Sequence, residues 1–398
     1  MGNIYEFKKH TFVLMLLLLI LTGCNSSVYY ISITDLSKVR SKTEMQSFEQ
    51  LNDPIVITMP IYEKMALFGN VNMGSYNKRA GDIFVVYDWE NTKIHDWCFF
   101  EGNHGWSNFR AVEMGNPVKY YDSGERIGCL NKNGKLTVYQ NDIKGTFTNL
   151  NNNQKIKSLY GLINTDGYSN GKHEYRINLF NSETGKVDNN QLIIYSQDSY
   201  FSYPKSDLSG NYWLTAVNED KNCLYKVDVV NNKIDVVAKF LDRDYKGMKN
   251  ITPVLREIYK NYAILSDGEY DKYPNIIVYD IEKNIKYCEI SLPKKNYPNR
   301  MFACAPVNSK LYGIFPADHD RDNWCEWTDI YEIDIENRKV NFCTTLEFDM
   351  TETVYTRGSR IYLLNSRDLS VFKCNYYDTE TGQSGIDFSI SLDEVISK

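Results

Sequence analysis

Seven times along this chain an alternating apolar run ends on Asp or a polar stand-in, turns through a few polar residues and gives way to a second alternating run. The runs are Phe84-Val85-Val86-Tyr87-Asp88, Leu136-Thr137-Val138-Tyr139-Gln140, Ile177-Asn178-Leu179-Phe180-Asn181, Leu224-Tyr225-Lys226-Val227-Asp228, Ile276-Ile277-Val278-Tyr279-Asp280, Ile330-Tyr331-Glu332-Ile333-Asp334 and Cys374-Asn375-Tyr376-Tyr377-Asp378. Turns such as Glu183-Thr184-Gly185-Lys186 and Asn231-Asn232-Lys233 follow them. Period-2 alternation around an Asx/Gly turn is a β-hairpin signal. The closing residues, 88, 140, 181, 228, 280, 334 and 378, are spaced by 41 to 54 positions. A sheet-forming repeat of that length is the size of a propeller blade.

A further short strand precedes most hairpins: Tyr212-Trp213-Leu214-Thr215, Tyr262-Ala263-Ile264-Leu265, Leu311-Tyr312-Gly313-Ile314 and Ile361-Tyr362-Leu363-Leu364. Ser206-Asp207-Leu208-Ser209-Gly210-Asn211-Tyr212 is the kind of turn that leads into such a strand. The expected fold is all-β: a β-propeller of four-stranded antiparallel blades, seven by the count of hairpins, with six or eight also compatible. Two β-sandwich domains are the rival arrangement, since they too show evenly spaced strands.

The N-terminus carries Lys8-Lys9-His10, an apolar run from Phe12 to Leu21, and Leu21-Thr22-Gly23-Cys24. The run is short of the roughly 20 residues a membrane-spanning helix needs and reads as an export signal. Leu21-Thr22-Gly23-Cys24 resembles the lipobox of bacterial lipoproteins. That resemblance implies a signal peptide over 1–23, acylation (palmitate or a like chain) of Cys24, and a lipid-anchored protein at the cell membrane or outer membrane, facing the extracytoplasmic side. Residues 24–53 are expected to be the lipidated end and a tether leading to an early strand or helix, with a weak strand at Val28-Tyr29-Tyr30-Ile31, and 54–398 the propeller domain. The repeats resemble bacterial surface and periplasmic propellers with YVTN-like or quinoprotein-like blades, over roughly 54–392. The Trp-Asp dipeptide of WD40 repeats and the tryptophan-docking signature of quinoproteins are absent.

A net charge of −6 with no basic run argues against nucleic-acid binding. Eight cysteines follow Cys24, mostly inside expected strands and without paired spacing. They read chiefly as buried thiols, with one or two bridges left open and no zinc spacing. No Gly-x-Ser-x-Gly, His-Glu-x-x-His or phosphate loop is present.

If each hairpin joins a blade's two outer strands, its short turn lies on one face and the loop entering it lies on the other. The entry loops are uneven, and uneven loops on a regular scaffold are where binding resides. Three look long: Asn164 to His173, Ser266 to Tyr273 and Pro316 to Asp329. In the third, Asp318, Asp320, Asp322, Glu326 and Asp329 take the 1, 3, 5, 9, 12 spacing of a calcium loop, so Ca2+ is a candidate cofactor. The loop resembles an EF-hand loop, with Asn323 where glycine is expected and Asp in place of the final Glu. Tyr168, His173, Asp267, Tyr270, Tyr273, His319, Trp324 and Trp327 form a candidate ligand set. Aromatic planes beside carboxylates suit a glycan or a protein partner. The expected function is therefore a binding or scaffold module of the cell envelope, partnered by the membrane through Cys24 and by an envelope protein or glycan. The alternative is a carbohydrate-active enzyme using carboxylates such as Asp267 and Asp320.

Overall fold

The computed structural model describes residues 33–52, 54–63, 78–101, 113–114, 118–122, 126–140, 147–152, 159–181, 184–196, 205–207, 209–218, 221–228, 230–242, 253–266, 275–292, 302–318, 327–347, 354–365 and 371–398. These form seven antiparallel sheets. Blades 3 to 7 each take four consecutive strands. Blade 3 is Phe147–Asn152, Leu159–Ser169, Lys172–Asn181 and Val187–Ser196. Blade 4 is Lys205–Ser206, Tyr212–Asn218, Lys221–Asp228 and Lys233–Asp242. Blade 5 is Val254–Tyr259, Tyr262–Ser266, Asn275–Asp280 and Ile285–Ser291. Blade 6 is Ala303–Val307, Lys310–Ala317, Trp327–Asp334 and Lys339–Leu346. Blade 7 is Val354–Arg357, Arg360–Asn365, Val371–Asp378 and Ser384–Ser391.

Blade 1 is built differently. Pro54–Glu63, Lys78–Asp88 and Lys93–Glu101 run in order, and Glu113–Met114 returns to pair beside the first. Blade 2 has three described strands, Val118–Asp122, Arg126–Leu130 and Leu136–Gln140. Here the expected hairpin differs. The run after Gln140 does not fold back on Leu136–Gln140. As Phe147–Asn152 it pairs with Leu159–Ser169 and opens blade 3.

The strands are buried on both faces because each blade packs between two others. In blade 5, Ala263 and Leu265 face blade 4, while Ile264 faces blade 6. Apolar clusters of this kind join blades 1 and 2, 3 and 4, 4 and 5, 5 and 6, 6 and 7, and 7 and 1. The last of these packs the C-terminal blade against the N-terminal one, as a ring requires and two separate sandwiches would not. In blades 3 to 7 the first strand lies toward the ring axis and the last on the rim; in blade 1 Lys93–Glu101 is the rim strand.

The repeated Asp is the residue that shapes each outer hairpin. All seven closing residues stand at the ends of strands. Asp88 accepts hydrogen bonds from Asn91 N and Nδ2, Asp228 from Asn231 N and Nδ2, and Asp334 from Asn337 N and Nδ2, at 2.6–3.1 Å. Asn181, Asp280 and Asp378 accept from Thr184 N, Lys283 N and Thr381 N. These are Asx turns. Four positions after each of these six residues the backbone turns left-handed, at Thr92, Gly185, Asn232, Asn284, Arg338 and Gly382, with φ between 50° and 71°. Glycine and asparagine accept that geometry; a β-branched residue resists it. Thr92→Gly is therefore expected to stabilise the fold by about 1 kcal/mol. The readout is a higher urea midpoint at unchanged slope, with a smaller gain for Asn232→Gly. No gain for Thr92→Gly would mean that the strain is relieved elsewhere.

Five rim strands carry a bulge on the outer side of this hairpin, at His95, Val237, Tyr287, Cys343 and Asp387. Bulges disrupt edge pairing, which protects exposed rim strands from joining other chains. The six cysteines whose side chains are described, Cys98, Cys223, Cys288, Cys304, Cys343 and Cys374, are thiols in strands, not joined in disulfides.

The stretch expected to be a tether is folded from Ile33 onward. Helix α1 (Ile33–Ser41) lies against the rim of blade 1 and against the C-terminal helix α2 (Leu392–Ser397). Beyond it, Met45 and Phe48 are buried at the junction of blades 1 and 2. The lipobox, Cys24 and Val28–Ile31 lie outside the described residues. No helix among the described residues is long and apolar enough to cross a membrane.

Candidate functional site

The outer-hairpin turns share one face of the ring, and the antiparallel order of the strands puts the entry loops on the other. On that second face blade 3 extends further than blades 4 to 7, as does blade 1 with its paired strands of 10 and 11 residues. The two middle strands of blade 3 run 11 and 10 residues, against 5 to 8 in blades 4 to 7. The segment expected as a long loop from Asn164 to His173 is instead strand almost throughout, closed by a two-residue turn at Asn170 (φ 51°) and Gly171 (φ 77°). Asn-Gly with both residues left-handed is a tight type I′ hairpin turn. The consequence is a ribbon that overshoots its neighbours.

Tyr168 and His173 stand opposite each other near the tip of this ribbon, their rings edge to face at 5.0 Å. Tyr168 is 65% exposed, the largest value for a big apolar side chain among the described residues. Below the pair, Glu174 is buried and receives Arg176 Nη2 at 2.6 Å and Nε at 3.1 Å. Gly167 faces Glu174 across the ladder, and a Cβ there would come within 2.7 Å of its carboxylate. Glycine at 167 therefore makes room for the ion pair that braces the ribbon.

Asp267, Tyr270 and Tyr273 lie outside the described residues, as do His319, Asp320, Asp322, Trp324 and Glu326. The strands that precede and follow these two segments in sequence belong to blades 5 and 6. The C-terminal end of the expected calcium loop is strand, and its first residue lies just past one. Trp327 opens a strand and packs into the cluster between blades 5 and 6. Asp329 is fully buried, pairs across to Phe315, and accepts from Thr345 Oγ1 at 2.5 Å. Asp318 is buried just beyond Ala317. Cross-strand partners share a face and successive residues alternate. Asp329 therefore shares the face of Phe315 and Ala317, and alternation puts Asp318 on the other. Asp329 serves the sheet, and among the described residues no three His, Cys, Asp or Glu side chains gather as metal ligands.

A second charged cluster lies near the ring axis, where the sequence pattern gave no signal. In the first strand of blade 5, Leu255 pairs with Leu265 but Glu257 pairs with Ile264, so Arg256 is an inserted, bulged residue. Without the bulge Glu257 would share the face of Leu255, toward blade 4. The bulge turns it toward blade 6, beside Cys304. Arg256 is tied down by Ser266 Oγ at 2.9 Å and lies over the Phe302 ring at 5.3 Å. Burial raises the Glu257 carboxyl pKa, while the charge of Lys205 and a bond from Ile258 N lower it less. Burial also raises the Cys304 thiol well above its usual range, Glu257 adding to the effect. Cys304 is thus held as a neutral thiol, a poor nucleophile.

The sign for Glu257 follows. A carboxyl raised in the folded state costs nothing below its unfolded pKa and destabilises as pH rises through the folded one. Glu257→Gln keeps the acceptor for Ile258 N. Its thermal midpoint should exceed wild type at pH 7 and match it near pH 4. A lower midpoint at pH 7 would show that the ionised form is favourably held.

The closed ring of small antiparallel sheets defines a β-propeller protein. Among solved structures, the chain is similar to puromycin hydrolase, with a TM-score of 0.51 at 9% identity over 90% of this chain, which spans about half (55%) of that protein. It is also similar to apo AztD from Citrobacter koseri (TM-score 0.46, 11% identity, 85% of this chain and 95% of that one) and to TolB from Acinetobacter baumannii (TM-score 0.41, 10% identity, 83% and 78%). At these identities the likeness is one of fold. No protein-family model and no curated protein matches the chain in sequence.

Proposed function

We propose that this chain is a lipid-anchored, extracytoplasmic propeller that binds an envelope partner, protein or glycan, on its entry-loop face and performs no chemistry. The observation that carries the reading is the blade 3 ribbon. It lifts an exposed tyrosine clear of the ring and fixes it with a tight turn, a ring contact and a half-buried ion pair. Aromatic side chains presented on a rigid support are the usual anchors of recognition, because they bring large contact area at little entropic cost. The opposite face carries the short Asx turns, whose side chains are spent on their own backbones. The neutral Cys304 and the absence of a nucleophile–base motif in the sequence support binding over catalysis. The lipobox at Leu21-Thr22-Gly23-Cys24 supports the anchor.

The test is cross-linking and pull-down of the native protein from its own membranes, read by mass spectrometry, beside two variants. Tyr168→Ala should keep the fold and lose at least 1 kcal/mol of partner affinity, about fivefold. Cys24→Ser should move the protein from the membrane to the soluble fraction. Undiminished capture by Tyr168→Ala would remove the ribbon from the binding surface, and continued sedimentation of Cys24→Ser would remove the anchor.

A further inference from the structure

We infer that the wall of the ring at the junction of blades 1 and 7 is the surface this protein turns toward the lipid bilayer, leaving blades 3 to 5 directed away from it. The inference rests on the proposed lipid at Cys24 and goes beyond it by assigning an orientation.

The argument begins with reach. Eight residues, 25–32, separate Cys24 from the first residue of α1. Fully extended, that stretch covers at most about 30 Å. Four strands spaced about 4.8 Å apart make a blade roughly 14 Å deep, so the ring with its axis and rim side chains is about 40 Å across. The tether is therefore shorter than the ring is wide.

The second step is where the tether is tied. Val39 of α1 is fully buried in the same apolar cluster as Leu392 and Val395 of α2 and the core strands of blades 1 and 7. Arg40 Nε lies 3.2 Å from Glu101 Oε1. Lys42 Nζ lies 2.6 Å from the buried Asp96, and the Lys42 carbonyl accepts from Phe99 N at 2.6 Å. The Asp96 carboxylate also accepts from Gln46 N at 2.7 Å. The chain that leads to the lipid is thus clamped to the ring at one place, the rim of blade 1 beside blade 7. Blade 4 is diametrically opposite, beyond the reach of the tether.

The third step concerns charge. The wall carries both signs, with Lys38 and Arg40 exposed on α1 and Asp393 and Glu394 exposed on α2. A mixed surface has no strong preference for anionic headgroups, so the short tether sets the orientation. The geometry suits the proposed binding surface, because the blade 3 ribbon sits more than two blades round the ring from the wall and stays accessible.

The experiment uses full-length lipidated protein in vesicles of three parts phosphatidylethanolamine to one part phosphatidylglycerol, doped with a rhodamine lipid. An azide-bearing residue replaces exposed Ser397 on the wall or exposed Val230 on blade 4, and each is labelled with a donor dye. Energy transfer to the vesicle should be at least twofold greater from position 397 than from position 230. Equal or reversed transfer from vesicle-bound protein would overturn the orientation. Wild-type protein that fails to bind vesicles, or Cys24→Ser protein that binds equally well, would instead overturn the anchor reading, and the orientation with it.

Discussion

Replacing Trp89 by alanine is expected to cost about 3–5 kcal/mol, the range for deleting a large buried aromatic side chain. The size follows from where Trp89 stands. In the described residues each sheet is drawn from one continuous stretch of chain, so no strand from one end of the protein completes a blade at the other. The seam between blades 7 and 1 is held by side chains. Trp89 is 7% exposed, meets Tyr362 edge-on at 4.6 Å, and donates its Nε1 hydrogen to Asp387 Oδ2 at 2.6 Å. Arg357 lies over its ring at 5.0 Å. Next to it Tyr87 stacks on Phe388 at 4.2 Å, and burial there pushes the Tyr87 hydroxyl up to about 12. Trp89→Phe should retain most of the packing and lose the bond to Asp387, costing about 1–2 kcal/mol. Urea unfolding measures both costs. Hydrogen exchange locates them: amides of blades 1 and 7 should lose protection before those of blades 4 and 5. A loss below about 1 kcal/mol for the alanine variant, or a uniform loss of protection, would mean that closure does not depend on this seam.

What the sequence reveals and what it hides divides along the same physical lines. The outer hairpins are legible because their signals are local: alternation over five residues, an Asx side chain that bonds three positions on, and a left-handed position one step later. Asp387 shows the opposite case. Its bond to Trp89 spans 298 residues of the chain, and only the bulge at that position aims it at the seam. Glu257 is hidden for the same reason, since one inserted residue at Arg256 reverses the face on which it appears. The Asn164–His173 segment misleads because its polar composition reads as loop, while Asn170-Gly171 is the stronger signal of a tight turn between long strands. Asp329 fits a calcium spacing by number alone. Cross-strand register puts it on the face of Phe315, and its carboxylate is spent on Thr345.

Acid should unfold this protein steeply below about pH 4, and Asp207→Asn should blunt that response. Asp207 lies in the turn that enters the second strand of blade 4. Its carboxylate accepts from Ser209 N at 2.8 Å, Asn211 N at 3.0 Å, Asn211 Nδ2 at 2.8 Å and Trp213 Nε1 at 2.8 Å. Burial alone would raise this carboxyl, but the four donors together outweigh it and hold the pKa below the usual carboxylate value. Asp88, Asp96 and Asp378 show the same balance, with burial opposed by a larger sum of hydrogen bonds. Asp280 and Asp334 are lowered mainly by donors in their own turns. A carboxyl lowered in the folded state binds its proton more readily once unfolded. Its stabilisation is therefore complete above the unfolded pKa near 4 and is lost as pH falls toward the folded one. Six such groups act in the same direction, and Glu257 acts against them. The urea midpoint should stay nearly flat from pH 8 to 5 and then drop. Each carboxylate oxygen serves two of these donors, so in Asp207→Asn the amide nitrogen leaves two of them without their acceptor, at a cost of about 1–3 kcal/mol each at pH 7. The variant should also lose stability less steeply between pH 4 and 2, because one titrating group is gone. If its acid limb runs parallel to wild type, Asp207 is not among the groups whose protonation unfolds the ring. If wild type shows no acid limb at all, the repeated Asx turns are stabilised by geometry rather than by the charge of their carboxylates.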